Sequence, residues 1–298
     1  MLFPVSQKKD LTGTMRALSF FVFGLLLSVA APSRPSATVA PQIVVIPSGN
    51  LRLKAYLWKP LGAGPFPAVL FNHGRSEDPQ QHTPTLTITA AAQVLGPVFV
   101  KHGYAFLYLF RRGEGLSADQ GQFIGDLSRR EESERGVVAR KHLQFVLMTT
   151  DHLDDVLAGL AFVKRLPEVD ARRIAVAGHS FGGQLALLAA ERDNSVRSAV
   201  TFGAAAGSWD GSSEVRARLL TSIQKIVAPV MLIQAANDYS LKPGVSLAAE
   251  LASLSKPYVL KIYPPVGQTA GEGHNFVYTD VALWEGDVFG FLDENVKH

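Results

Sequence analysis

Four apolar runs that would be buried on both faces constrain the fold of this chain most strongly. They are Ala68–Asn72, Tyr104–Phe110, Ile174–Ala177 and Val230–Gln234. Such runs are typical of strands inside a parallel sheet that is covered on both sides. Segments with helical periodicity alternate with them, namely Asp151–Leu166, Phe181–Glu191, Lys242–Leu254 and Thr279–Asn295. The alternation predicts an α/β fold, a doubly wound and mostly parallel sheet with helices on both faces.

Two shorter β-rich runs begin the folded part of the chain. Ile43–Pro47 and Leu51–Trp58 flank the turn triplet at 48–50, which predicts a hairpin. Ala199–Phe202 and Tyr258–Tyr263 are further strand candidates. Because no repeat and no linker interrupts the sequence, we expect a single domain over residues 42–298.

The first 37 residues have the pattern of a signal peptide followed by a spacer. Three basic residues precede the uncharged run 17–31. Ser28 and Ala30 fit the small-x-small pattern of a cleavage site, and a stretch rich in Pro, Ser and Ala follows. The run is shorter than the roughly 20 residues that a membrane-spanning helix needs. We therefore expect a periplasmic or secreted protein with no stable membrane span after cleavage of the signal.

Composition excludes several classes of function. The chain has no cysteine, which rules out disulfides, thiolate metal sites and a cysteine nucleophile. The net charge of +3 resides entirely in the first 37 residues, so the remainder is neutral and shows no electrostatic pattern for binding nucleic acid. No phosphate-binding loop, dinucleotide-binding turn or metal-ligand spacing is present. We expect neither a metal nor a cofactor.

The strongest local motif is Gly-x-Ser-x-Gly, which stands between a strand candidate and a helix candidate. Its serine is Ser180, flanked by Gly178 and Gly182. A serine at a sharp strand-to-helix turn is exposed as a nucleophile, and the glycines permit the close backbone approach that this turn requires. The backbone N–H of Phe181 would then donate to an oxyanion at the positive end of the helix.

A serine nucleophile needs a histidine base, and the base needs a carboxylate partner. On this type of turn the chain order is serine, acid, histidine. His274 follows Ser180 and stands in a Gly-rich segment that we expect to be a loop, whereas His298 is terminal. Asp238 comes directly after an apolar strand and is the favoured acid. Asp210 is the alternative, in a segment that looks like an ordinary turn.

Two further sequence segments bear on the site. The turn after the strand at 68–72 should supply the second oxyanion donor, which we assign to the backbone N–H of Arg75, with Gly74 as the reserve. Residues 112–148 depart from the strand–helix alternation. They are interpreted either as an excursion leading into a solvated helix or as a wall or small lid over the substrate pocket.

Five segments together resemble the α/β-hydrolase superfamily, in its dienelactone-hydrolase-like and prolyl-oligopeptidase-like branch. They read FNHGR at 71–75, HGYAFLYLFRRGEGLS at 102–117, RIAVAGHSFGG at 173–183, PVMLIQAANDYS at 229–240 and GEGHNF at 271–276. The resemblance implies a cofactor-free acyl-transfer hydrolase with a Ser-His-Asp triad. Dienelactone hydrolases typically carry a cysteine where Ser180 stands, so their lactone substrate is not carried over. Arg111 stands where the family's strand often ends in aspartate.

Residues and resemblance together predict a secreted serine hydrolase, most simply a carboxylesterase acting on small or medium acyl esters. Its partner would be a small-molecule acyl substrate. The first alternative is a peptidase or amidase of the prolyl-oligopeptidase type, which shares the triad but usually carries an N-terminal propeller; none stands before Gln42. The second alternative is a non-catalytic binding protein on the same scaffold.

Overall fold

The central sheet combines an antiparallel hairpin with six parallel strands. In the computed structural model, which describes residues 40–83 and 86–298, ten strands are found. They are β1 (Gln42–Ser48), β2 (Leu51–Trp58), β3 (Phe66–Asn72), β4 (Gln81–Thr83), β5 (Leu86–Thr87), β6 (Ala105–Leu109), β7 (Val169–His179), β8 (Ser198–Phe202), β9 (Val230–Ala235) and β10 (Tyr258–Tyr263).

Strand order places the carboxyl ends of several strands at one edge. The main sheet has the order β1-β2-β6-β3-β7-β8-β9-β10, and β4 and β5 form a separate small ladder. Strands β1, β2 and β6 pair antiparallel, whereas every pairing from β6 to β10 is parallel. The loops that leave β3, β7, β8 and β9 therefore emerge at the same edge, where open α/β sheets bind ligands.

Helices cover both faces of this sheet. The eight α-helices in the described part are α1 (Ile88–Lys101), α2 (Ile124–Thr149), α3 (Asp151–Val163), α4 (Phe181–Arg192), α5 (Ser213–Lys225), α6 (Lys242–Ser253), α7 (Ala270–Thr279) and α8 (Val281–Val296). One core cluster joins the sheet to α3, α4, α5 and α6, and a second joins it to α1, α7 and α8. The doubly wound α/β architecture predicted from the sequence is confirmed.

Strand β3 shows how alternation along a strand builds the two cores. Ala68 and Leu70 point into the first cluster, while Val69 and Phe71 point into the second. Successive side chains of a strand face opposite sides of its sheet, so a strand inside a covered sheet must be apolar at every position. This is the physical origin of the continuous apolar runs.

Several segments differ from the sequence-based expectations. Residues 270–279, which carry His274, form helix α7 and not a loop; Thr269 and Glu272 cap this helix reciprocally. Helix α1 was not predicted, because its β-branched residues and Pro97 disfavour a helix, yet its apolar face is buried in the second core. Helix α2 occupies most of 112–148, which agrees with the interpretation of that segment as an excursion leading into a helix, but it contains a break at Gly136, where φ is 86°.

The signal peptide and spacer at 1–37 lie outside the described residues and stay predictions. Within the described ranges, no helix is both long and apolar enough to cross a membrane. Residues 40–83 and 86–298 belong to one compact unit.

Burial of the apolar face of α3 predicts that truncation of a side chain there lowers the stability of the fold strongly. Leu160 is 1% exposed in the first core. Leu160→Ala should lower the free energy of unfolding by about 2–5 kcal/mol, since it removes buried methyl groups and leaves a cavity. Leu61→Ala makes the same substitution at a side chain that is 83% exposed. It should change the free energy of unfolding by about 0.5 kcal/mol or less. Urea unfolding measures both, and equal effects would contradict the packing.

Candidate active site

Ser180 occupies a strained turn between β7 and α4. Its φ is 54° and its ψ is −114°, and it is the residue immediately before the first turn of α4. A positive φ is sterically unfavourable for a residue with a Cβ, so the surrounding structure must hold it. The backbone N–H of Ser180 donates to the carbonyl of Phe202 at 2.8 Å, which ties the turn to the end of β8.

The flanking glycines are required by close backbone contacts. A Cβ on Gly182 would lie 2.0 Å from the carbonyl oxygen of Asn72, and one on Gly178 would lie 2.2 Å from the carbonyl oxygen of Gly182. Neither position can accommodate a side chain. The helix after Ser180 therefore packs directly onto the end of β3 and brings the serine to the edge of the sheet.

Asp238 and His274 form a buried hydrogen-bonded pair. His274 Nδ1 lies 2.7 Å from Asp238 Oδ1, and their side chains are 8% and 1% exposed. The backbone N–H of Tyr239 and the amide of Gln234 also donate to this carboxylate. Because the ionised carboxylate is an acceptor only, Nδ1 carries the proton and Nε2 is left as the basic nitrogen.

His179 connects the serine turn to the histidine helix. Its Nε2 lies 2.8 Å from the carbonyl oxygen of His274, and the two imidazole rings have centroids 4.6 Å apart. Burial, and next the nearby His274, lowers the pKa of His179 well below its usual value. A neutral imidazole whose Nε2–H donates to the carbonyl fits this arrangement. No sequence pattern identifies His179 as part of the site.

A cavity of about 410 Å³ opens onto this group of residues. Ser180 and His274 both line it, together with Phe181 and Arg75. The second half of α2 supplies part of the wall through Arg140, Lys141, Gln144, Phe145 and Met148. Part of the 112–148 segment thus lines the cavity, as its interpretation as a pocket wall requires. Its role as a lid stays a prediction.

The two segments that are expected to supply the oxyanion donors lie beside the serine. Phe181 is the first residue of α4, so its N–H has no acceptor within the helix. The loop after β3 passes close by, since a Cβ on Gly74 would lie 3.4 Å from the Cβ of Ser180. Arg75 follows in that loop and lines the cavity. An anionic oxygen bound to Ser180 would lie near both segments.

The structure thus brings together Ser180, Asp238, His274, Phe181 and Arg75 at one edge of the sheet. Among the described residues, no hydrogen bond joins the Ser180 hydroxyl to His274. Asp210 lies elsewhere, paired with Lys242 at 2.8 Å on the surface. In residues 40–83 and 86–298 no cluster of three His, Asp or Glu side chains could hold a metal ion.

Comparison with known proteins identifies the family. The model of the dienelactone hydrolase family matches residues 99–282, which is more than half of the chain and includes Ser180, Asp238 and His274. The chain belongs to the dienelactone hydrolase family. The quorum-quenching protein AidA of Acinetobacter baumannii is 26% identical to it over 162 residues. That match spans 54% of this chain and 43% of AidA.

Solved structures share the fold of this dienelactone hydrolase family member. Dienelactone hydrolase from Anabaena variabilis has a TM-score of 0.60 at 19% identity, covering 87% of this chain and 99% of that one. Est1E from Butyrivibrio proteoclasticus, solved with bound ferulic acid, has a TM-score of 0.59 at 18% identity, covering 86% and 100%. Acylaminoacyl peptidase from Pyrococcus horikoshii has a TM-score of 0.61 at 16% identity, but this chain covers only 42% of it.

Buried histidines around the site predict a loss of stability in mild acid. Burial is the main cause that lowers the pKa of His73, His82, His152 and His179, that of His82 to about 3. Each should be neutral in the folded protein and protonated in the unfolded chain below about pH 6.5. The free energy of unfolding is therefore highest above that pH. It falls as the pH decreases, by about 1.4 kcal/mol per pH unit for each such histidine.

His152→Asn isolates one of these contributions. Its free energy of unfolding should depend less steeply on pH than that of the wild type between about pH 6 and pH 5, by about 1.4 kcal/mol per unit. Leu153→Ala, at the neighbouring buried position of α3, should lower stability without changing the slope. Urea titrations at several pH values measure the slopes, and an unchanged slope in His152→Asn would contradict the assignment.

Proposed function

We propose that this family member is a serine hydrolase that cleaves carboxylic esters through an acyl-enzyme. The observation that carries the proposal is the buried Asp238–His274 hydrogen bond at the rim of the cavity that Ser180 lines. A cavity of this volume suits a small or medium acyl group. The leader pattern in residues 1–37 supports the further proposal that the protein acts in the periplasm or outside the cell.

In the proposed reaction Ser180 Oγ attacks the ester carbonyl while His274 Nε2 takes its proton. Asp238 holds the imidazole by its Nδ1–H and stabilises the cation that forms. The N–H groups of Phe181 and Arg75 bind the negatively charged oxygen. His274 then protonates the departing alcohol, and water hydrolyses the acyl-enzyme by the same steps. The Ser180–His274 hydrogen bond would form on substrate binding, since such bonds are often long in the free enzyme.

Removal of the nucleophile tests the proposal. Ser180→Ala should fold and should lose esterase activity by at least about 10⁴-fold, because no alkoxide can form at this position. Hydrolysis of p-nitrophenyl butyrate by the purified variant measures the loss. Wild-type activity in a clean preparation of Ser180→Ala would refute the proposal.

The identity of the acid can be tested with the same substitution at two aspartates. Asp238→Asn should lower kcat on the order of 10³- to 10⁴-fold, because the amide cannot hold the imidazole in the reactive tautomer. Asp210→Asn changes the sequence-based alternative, which lies on the surface, and should leave kcat within about twofold of the wild type. A larger loss in Asp210→Asn than in Asp238→Asn would reverse the assignment.

The leaving group separates the esterase from the peptidase hypothesis. Esters expel a better leaving group than amides, and an esterase needs no contacts that protonate and hold an amine. We expect the wild type to hydrolyse p-nitrophenyl esters and to leave aminoacyl p-nitroanilides with matched acyl groups uncleaved. Ser180→Ala serves as the blank for both substrates, and anilide cleavage by the wild type above this blank would favour a peptidase.

A further inference from the structure

Arg111 carries a buried positive charge directly behind the loop that supplies an oxyanion donor. It follows β6 by two residues, and its side chain is completely buried. Burial of a guanidinium is costly unless its N–H groups are hydrogen-bonded. Arg111 Nη1 donates to the carbonyl of His73 at 2.7 Å, and Nη2 donates to the carbonyl of Gly74 at 2.9 Å. Glu114 accepts from Nη2 at 3.0 Å.

Two side chains contact the carbonyl of Gly74, Arg111 through Nη2 at 2.9 Å and His73 through Nδ1 at 2.7 Å, and together they determine where the next N–H points. The carbonyl of Gly74 and the N–H of Arg75 belong to the same peptide unit, and in a trans peptide the two groups point in opposite directions. With the carbonyl held on Arg111, the N–H of Arg75 is directed away from the guanidinium. A cationic donor on the carbonyl also polarises the peptide and strengthens its N–H as a donor.

The same guanidinium contacts the residue that supplies the other donor. Its central carbon lies 5.4 Å from the centroid of the Phe181 ring. A cation over an aromatic face is an attractive arrangement and restrains the ring. One buried side chain thus supports both segments that carry the N–H groups of Arg75 and Phe181.

We propose that Arg111 is the positioning residue of the oxyanion hole. It fixes the peptide between Gly74 and Arg75 so that the N–H of Arg75 can bind the anionic oxygen, and it restrains Phe181 opposite. This inference rests on the proposed esterase function. The neighbouring Arg112 has a different task, since its guanidinium pairs with Asp155 at 2.7 Å and with Asp151 at 2.9 Å.

Substitution of Arg111 should weaken binding of the anionic oxygen and leave binding of the neutral substrate intact. Arg111→Lys retains the charge, but a single ammonium cannot reproduce the planar set of donors. We expect kcat to fall by about 10- to 100-fold, which does not exceed the fall in kcat that removal of one complete oxyanion donor causes. KM should change by about twofold or less. Arg112→Lys is the matched control and should keep kcat within about twofold of the wild type.

Two ketone inhibitors distinguish positioning from a merely structural role. A trifluoromethyl ketone with the acyl chain of the substrate adds Ser180 Oγ to its carbonyl carbon and passes the serine proton to His274, which gives an anionic hemiketal oxygen. The matched methyl ketone remains unreacted. In Arg111→Lys the affinity for the trifluoromethyl ketone should fall in parallel with kcat/KM, while that for the methyl ketone stays unchanged. Equal losses for both ketones, or no loss of kcat, would overturn the proposal.

A measurement on the wild type covers the case in which Arg111→Lys does not fold. A crystal structure of the enzyme phosphonylated on Ser180 should show the phosphonyl oxygen bonded to the N–H of Arg75, with the Arg111–Gly74 bond retained. A phosphonyl oxygen bound away from Arg75 would overturn the proposal. Failure of the esterase function is recognised separately, as equal activity of the wild type and Ser180→Ala.

Discussion

The contact of Gly182 with the carbonyl of Asn72 is the constraint on which the rest of the site depends. It allows α4 to begin against the end of β3, directly after Ser180, whose φ of 54° is strained for a residue with a Cβ. The same contact places the first N–H groups of α4 beside the loop that carries Arg75. One close approach of two backbones therefore positions both the nucleophile and the proposed oxyanion hole.

Much of the fold follows from local sequence patterns. The strands around Ala68–Asn72 and Val230–Gln234 were recognisable because a covered parallel strand must be apolar at every position. Helix α7 was mistaken for a loop because its first turns contain Gly271 and Gly273, although the cap formed by Thr269 and Glu272 is a readable signal. Helix α1 forms because burial of its apolar face outweighs the unfavourable helix propensities of its residues. No local sequence pattern reveals this burial.

The residues of the candidate site likewise include some that sequence patterns reveal and some that they do not. Ser180, Asp238 and His274 could be proposed from motif and chain order, because each follows a recognisable strand. The supporting side chains could not, since their roles depend on contacts between distant segments. Arg111 binds carbonyls 38 and 37 residues away, and His179 binds the carbonyl of His274, 95 residues away. In the sequence Arg111 appeared only as a departure from a family pattern.

The site thus has a buried hydrogen-bonded acid and base beside a strained serine, with a buried cation behind one donor loop. The proposed chemistry requires that Ser180 is a reactive nucleophile. Peptide mapping by mass spectrometry after reaction with a fluorophosphonate tests this claim most directly. We expect a single adduct, on the peptide that contains Ser180. An unmodified Ser180 peptide in a preparation that hydrolyses esters, or an adduct on another residue, would contradict it.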